Sequence, residues 1–287
     1  MGLTNKKRTT NNKRDIFSIA LAAIVTVVIV VTLRILVFAS FKIPSFSMEP
    51  TLYAGDFIVV NKLIPGPRID FMGDNKAGRP YRLTGHRPIK RNEVVVFNDP
   101  YYKSREIIQN WNAYYVKRCV GMPGDSLRID GGIYYINGQV NHINDKLVES
   151  SFRFQDMPPE YRIPGRFKEL GWTIDNFGPI YIPGRGDTVS LDAINIHLYR
   201  PLIEYETGGK LNETEGSFFL DGQVIRHYRF KLNYYFMAGD RATDSKDSRY
   251  WGLLPEDHMV GKVAYIWKSK EPASNTYRFE RFFKPVE

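Results

Sequence analysis

The chain predicts a mainly β protein behind a single membrane-spanning helix. Three observations carry that expectation. The run Ile16–Leu33 (IFSIALAAIVTVVIVVTL) is apolar and uncharged, and no sustained helical period follows it. Short apolar runs separated by turn signals fill the remainder. Asn137-Gly138 and Asp221-Gly222 each lie between two such runs, the signature of a type I′ hairpin. Hydrophobic residues make up 43% of the 287 positions and aromatic ones 14%, enough for folded β domains and too much for a disordered chain.

Charge orients the first element. The formal charge is +9, and Lys6, Lys7, Arg8, Lys13 and Arg14 precede the apolar run, opposed only by Asp15. Residues 1–15 therefore read as a cytoplasmic basic tail, which gives no argument for nucleic acid as a partner. Eighteen helical residues rise about 27 Å, close to the hydrocarbon thickness of a bilayer. Residues 16–39 read as a transmembrane anchor, with Arg34 snorkelling from the far end and everything beyond residue 40 outside. The rival is a cleavable signal peptide, since Val37-Phe38-Ala39 places small residues where a cleavage site wants them. Its apolar core would be longer than the roughly 7–15 residues such peptides use. The remaining positive excess suits an anionic lipid surface. The single cysteine, Cys119, excludes an intrachain disulfide and a cysteine-cluster metal site.

After the anchor, a glycine turn at Gly55-Asp56 leads into the apolar strand Phe57–Val60. Residues 63–92, rich in Gly, Pro and basic side chains, read as a long excursion, a hairpin in outline. Glu93–Phe97 is a strand, residues 101–112 a short helix or loop, and Tyr114–Val120 a second strand. In that strand Tyr115, Lys117 and Cys119 share one face, and Tyr114, Val116 and Arg118 the other. Two related runs, Pro123–Asp130 and Gly186–Asp192, each precede one of the Asx-Gly hairpins, a weak internal repeat of architectural character. Residues 141–232, heavy in Gly, Pro and charge, read as an inserted β subdomain within a body formed by residues 40–140 and 233–287. Val260–Lys268 and Asn275–Pro285 read as closing strands.

Three segments carry chemistry. The first is Phe41–Lys62, where Ser45 and Ser47 sit on chain that Pro44 and Pro50 bias away from helix. Taken alone, it is equally a polar loop joining an anchor to a β domain. A serine hydroxyl needs a neighbour to take its proton. His86, His142, His197, His227 and His258 stand in no nucleophile-elbow or zinc-peptidase pattern. Lys117, in the second segment, sits within an aromatic and apolar strand. Burial there would let it lose its proton near neutral pH and act as a base, although strand lysines are more often at an edge or snorkelling. The third segment is the dense polar run Met237–Pro255 (MAGDRATDSKDSRYWGLLP). Gly124-Asp125-Ser126, Arg185-Gly186-Asp187 and the sequon Asn212-Glu213-Thr214 match known motifs by letter only.

In order and spacing, IPSFSMEPTL with GDFIVVNK, YVKRCVGMPGD and GDRATDSKDSRYWGLLP resemble the sequence boxes of type I signal peptidases, the bacterial Ser/Lys membrane endopeptidases that remove signal peptides. The resemblance covers the anchor and roughly residues 41–62, 91–135 and 234–268. It implies an antiparallel β body of the signal-peptidase/LexA-like fold, in the bacterial inner membrane with its catalytic domain on the outer, periplasmic face. It implies Ser47 as nucleophile, Lys117 as general base, and an oxyanion hole from the Ser45 hydroxyl and the Ser47 N–H. Ser245 would orient the lysine, and Asp247 with Arg249 would brace the third box. Pockets for small side chains of an Ala-x-Ala substrate would involve Phe41, Ile43, Met48, Leu52, Ile58, Tyr115 and Val116. The implied partners are signal peptides of exported preproteins, the lipid bilayer and the protein export machinery, with no nucleic acid. No metal or other cofactor is implied. A self-cleaving Ser/Lys repressor shares the core but would need a DNA-binding domain where this chain has an anchor, and a catalytically silent peptide-binding module would not need the Ser/Lys/Ser set. Arg241-Ala242 departs from the usual Asn-Arg of the third box, which puts local bracing in question. Phe46 and Glu49 also belong to this chain, and Glu49 is placed to tune substrate preference.

Overall fold

The computed structural model describes residues 5–69, 80–101, 106–108, 110, 112–141, 154, 157–164 and 166–287. His142, most of residues 142–156 and part of the expected helix or loop at 101–112 lie outside the described residues. Helix α1 (Asn5–Leu36) contains the apolar run, and Asp15–Leu36 is long and apolar enough to cross a membrane. It stops short of residue 39 because strand β1 (Phe38–Lys42) begins almost at once. Lys62 Nζ donates to the carbonyls of Arg34 (2.8 Å) and Ile35 (3.0 Å), which satisfies two of the acceptors a helix leaves open at its C-terminal end. The anchor is thereby tied to the β body by a side chain as well as by the chain itself.

Strand β2 (Asp56–Asn61) pairs antiparallel with β1 and places Phe41 opposite Ile58. The excursion at 63–92 is a hairpin whose described base is β3 (Arg68–Ile69) paired with β4 (Tyr81–Arg82). The Arg82 guanidinium pins this base by donating to the carbonyls of Gly66, Glu256 and Met259. β5 (Val94–Asn98) is buried along its whole length and pairs with β6 (Tyr114–Gly121), so that Val95 faces Lys117. β7 (Ser126–Asp130), β8 (Ile133–Ile136) and β9 (Gln139–Val140) follow as a meander. Asn137 and Gly138 between the last two have φ of 52° and 82°, as a type I′ turn requires.

Beyond residue 141, a short helix α2 (Pro159–Arg162) precedes β10 (Phe177–Tyr181), which pairs back onto β7. The resulting sheet, ordered β10-β7-β8-β9, takes strands from both sides of residue 141. β11 (Thr188–Ser190) is followed by helix α3 (Asn195–Thr207), which corrects the expectation that no sustained helix follows the anchor. Pro201 inside it and buried Glu206 on its inner face hide the apolar stripe of Ile196, Tyr199, Leu202 and Ile203. Glu206 accepts from the Lys231 and Leu232 amides and the Tyr228 and Tyr234 hydroxyls, so burial of its carboxylate is compensated. β12 (Leu211–Thr214), β13 (Ser217–Leu220) and β14 (Gln223–Ile225) form a second meander, turning at Asp221-Gly222 with φ of 49° and 83°. β15 (His227–Arg229) pairs with β11.

The chain returns through β16 (Tyr234–Ala238), which is buried throughout and pairs with β6, then the short helix α4 (Ser248–Trp251) and β17 (Leu254–Pro255). β18 (Met259–Ser269) closes the body by inserting between β2 and β5. The second expected closing strand is instead a 3-10 turn at Phe279–Arg281 and a two-residue strand, β19 (Lys284–Pro285), on the side of β18. The main sheet runs β1-β2-β18-β5-β6-β16-β17. Alternation along β5 sends Val94 and Val96 into a small core with Ile43, Met48, Leu52 and Ile58, and Val95 and Phe97 into the larger core shared with the second sheet.

Candidate active site

Ser47 is held at the start of a turn whose two sides are fixed independently. On the upstream side, the Ile43 amide donates to Asp56 O and the Gly55 amide to Ile43 O. On the downstream side, the Leu52 amide donates to Met48 O, and Met48, 1% exposed, fills the small core. Burial of that side chain contributes about 1.5–3 kcal/mol to keeping the turn closed. Gly55 has φ of 91°, and a Cβ there would lie 1.9 Å from Lys270 O, so both conformation and space demand glycine. The turn is bolted to the C-terminal segment at fully buried Asp56. It accepts from Arg281 Nη2 (2.6 Å), the Ser269 hydroxyl (2.5 Å) and the Tyr53 amide (2.8 Å).

Lys117 reaches the same place from the middle of β6. Its Nζ lies 2.5 Å from Ser47 Oγ, and the two residues are 4% and 8% exposed. Burial pushes the lysine pKa down from 10.5 to about 8, with Asp247 raising it and Arg249 lowering it. About a tenth of this lysine is therefore neutral at pH 7, far more than of an unperturbed one. None of the described histidines lines this cleft: His258 is buried against Asn98 O, His227 meets Ser190, and His197 meets Glu169.

The third segment folds behind the pair. Arg249 makes two bonds to Asp247, Nε to Oδ1 (2.8 Å) and Nη2 to Oδ2 (2.7 Å), and both side chains are inaccessible. Burial alone would raise the Asp247 carboxyl, but Arg249 and bonds from the Gly239 amide and the Ser245 hydroxyl hold it below the usual carboxylate range. Ser245 lines the cleft beside the lysine, and its Oγ donates to Asp247 Oδ2 (2.7 Å). Gly239 lets these parts approach: a Cβ there would fall 2.2 Å from Ser245 Oγ and 2.6 Å from Ser47 O. Next to Lys117, Arg118 pairs with Asp240 through Nε (2.8 Å) and Nη2 (2.6 Å) and donates from Nη2 to Thr51 Oγ1 (2.9 Å). This pair is 3% exposed on both sides and fastens the first, second and third segments to one another.

The cleft has a volume of about 1040 Å³ and opens on one side, suited to a length of extended peptide. Phe41, Ile43, Met48, Tyr115 and Val116 line it, together with Ser45 and Ser47. Leu52 and Ile58, expected in the same wall, are fully buried in the small core behind it. Ile58 lies on the inward face of β2 and Leu52 points into the turn's interior, so both support the wall without forming it. The opposite wall was not foreseen. It comes from Met157, Pro158, Glu160 and Tyr161, and from Thr243, Asp244, Lys246 and Tyr250. The Tyr250 hydroxyl donates to Tyr161 O (2.7 Å), which ties this stretch to the third segment. No local pattern around residue 157 marks it as part of a cleft, because its neighbours there are far away in sequence.

A family model described as signal peptidase, peptidase S26, matches residues 16–268, which includes every element of this cleft. The chain belongs to the signal peptidase family. Membership makes this signal peptidase a serine endopeptidase, and its apolar N-terminal helix a membrane anchor. It is 29% identical over 298 residues to a signal peptidase I of Buchnera aphidicola from Schizaphis graminum, covering 95% of this chain and 85% of that one. It is 28% identical over 295 residues to a signal peptidase I of Helicobacter pylori strain J99, covering 96% and 94%. A signal peptidase I of Haemophilus influenzae matches at 28% over 90% of this chain and 72% of its own length. A crystal structure of a signal peptidase I from Enterococcus faecalis covers 61% of this signal peptidase at 15% identity, with a TM-score of 0.31, too loose an overlap to argue from. Glu49 and Arg241 meet in this signal peptidase as an ion pair at 3.0 Å.

Proposed function

We propose that this signal peptidase removes N-terminal signal peptides from exported preproteins, with Ser47 as nucleophile and Lys117 as general base, cutting after a small residue in an Ala-x-Ala pattern. The observation that carries the reading is the 2.5 Å contact between Lys117 Nζ and Ser47 Oγ at a lysine whose pKa burial lowers to about 8. Neutral Nζ takes the hydroxyl proton as Oγ attacks the carbonyl carbon of the scissile bond. Collapse of the tetrahedral intermediate breaks the C–N bond, and the departing amine takes the proton from the Lys117 ammonium. The signal peptide remains as an ester on Ser47. Water attacks that ester, giving its proton to Nζ. The C–Oγ bond then breaks, Ser47 Oγ takes the proton back from the Lys117 ammonium, and the peptide's carboxylate is released.

The Ser45 hydroxyl and the Ser47 N–H are the proposed donors to the oxyanion, where one such donor is worth about 2.7–4 kcal/mol. Ser45 lies exposed on the cleft wall beside Ser47, which supports this role. Ser245 is the proposed orienting group for the lysine. Because its proton goes to Asp247, its oxygen lone pairs are left to accept from Nζ. The wall of Phe41, Ile43, Met48, Tyr115 and Val116 is apolar and backed by a packed core, which favours small side chains of the signal peptide over large or charged ones. Strand addition along β1, at the edge of the main sheet, would bind diverse sequences through their backbones. The basic residues before the anchor support a cytoplasmic N-terminus and a catalytic body on the outer face of the membrane.

The test is cleavage of a preprotein with Ala at the first and third positions before the cut, by detergent-solubilised full chain. Wild type should cut at that junction, and Ser47→Ala and Lys117→Met should not. Equal product from all three would place the nucleophile elsewhere, and retained peptide binding with no cleavage by any would mean a silent binding module.

A further inference from the structure

The turn that carries Ser47 touches the loop Gly239–Arg241 at two points supplied by one residue. The Arg241 amide donates to Ser47 O (3.1 Å), and the Arg241 guanidinium donates to the Glu49 carboxylate (Nη1 to Oε2, 3.0 Å). Residues 47–49 and Arg241 thus close a small ring in which the backbone bond to Ser47 and the ion pair to Glu49 share one residue, Arg241. The loop itself is fastened on the side of the lysine. Asp240 is held by Arg118, which follows Lys117 directly, and Gly239 donates to buried Asp247. A displacement of Ser47 relative to this loop is therefore a displacement relative to Lys117.

The bonds at the two ends of the turn fix its ends, and the Ser47 O and Glu49 contacts fix its middle, where Ser47 sits, against the loop at two points. We propose that Glu49 and Arg241 form a positioning pair that holds Ser47 in register with Lys117. The proposal rests on the reading of Ser47 as nucleophile and Lys117 as base. Neither side chain need touch the substrate, and the pair acts by keeping Oγ within reach of Nζ. A bare rim ion pair would contribute little: the Arg241 and Glu49 side chains are 39% and 21% exposed, and such pairs are screened and weak. What gives this one leverage is geometry, since the reaction tolerates little error in the distance between nucleophile and base.

The experiment is steady-state cleavage of a soluble Ala-x-Ala peptide by the full chain in detergent. Wild type, Glu49→Gln, Arg241→Gln, the double variant, the charge swap Glu49→Arg with Arg241→Glu, and Ser47→Ala are compared. Both Gln substitutions keep every backbone bond. Each single variant should lower kcat by about three- to tenfold with KM within about twofold, and the double variant should be no worse than the poorer single. The swap should recover most of the lost kcat, and the loss in the single variants should shrink when all are compared in 1 M salt, where the wild-type pair is itself screened. Single variants with wild-type kcat, or additive losses that the swap does not recover, would overturn the pair. Thermal unfolding of each variant separates loss of fold from loss of position. If a single variant unfolds, the recovery of kcat in the swap decides alone. Ser47→Ala keeps the two readings apart. An active Ser47→Ala would remove the nucleophile assignment, whereas an inactive one beside fully active Gln variants would remove only the positioning pair.

Discussion

Lys117 makes the most exposed prediction, because one perturbation, pH, reads both catalysis and stability. Burial lowers its pKa from 10.5 to about 8. At pH 7 about 9% of such a lysine is neutral, against about 0.03% of an unperturbed one, a roughly 300-fold gain in the basic form. The rate of acylation, followed as kcat/KM for a peptide substrate, should rise roughly fivefold from pH 7 to 8, about twofold more to pH 9, and then level off. Asp244, exposed on the cleft wall, raises the pKa of Lys117, so Asp244→Asn should move this limb to lower pH. The stability effect has a definite sign. The folded pKa lies below the unfolded one, so below pH 8 the fold carries the full penalty of a buried ammonium. That penalty is relieved as pH rises from about 8 to 10.5. Its size is roughly 3 kcal/mol. Lys117→Met should therefore abolish cleavage and raise Tm at pH 7 by about 5 °C or more, with the gain vanishing near pH 10.5. A rate that is flat between pH 7 and 9, or a limb centred near 10, would refute the assignment of Lys117 as base. A Lys117→Met protein less stable than wild type at pH 7 would refute the account of its burial.

Three further outcomes follow from particular contacts. Ser45→Ala should lower kcat by about 10²-fold with little change in KM, measured on the same peptide, as the proposed oxyanion role of its hydroxyl requires. Gly239→Ala should fold yet lose most activity, since its methyl group would press on Ser245 Oγ and Ser47 O at 2.2 and 2.6 Å and push Ser47 away from Lys117. A wild-type rate would show that the loop gives way more easily than its contacts indicate. Arg281→Met should lower stability by about 3–5 kcal/mol, read from thermal or denaturant unfolding, because it leaves the fully buried Asp56 carboxylate without its cation.

The sequence by itself determined the elements whose causes are local. The anchor follows from a continuous apolar run, the hairpin turns from Asn137-Gly138 and Asp221-Gly222, and the strands on either side of them from alternation. Ser45, Ser47, Lys117, Ser245, Asp247 and Arg249 could be proposed from the sequence because their segments keep a recognisable order and spacing along the chain. Helix α3 was not legible, because Pro201 interrupts its pattern and a polar residue, Glu206, occupies a buried position whose partners come from other strands. Only the tertiary structure decided how far the lysine is dried out, since that depends on what β5, β16 and the Ser47 turn pack around it. It also decided that Leu52 and Ile58 support the cleft from behind, that Met157, Pro158, Glu160 and Tyr161 line it, and that Glu49 meets Arg241 across 192 residues of chain. Each of these is a contact between segments remote in sequence, and no local periodicity or propensity encodes which remote segments meet.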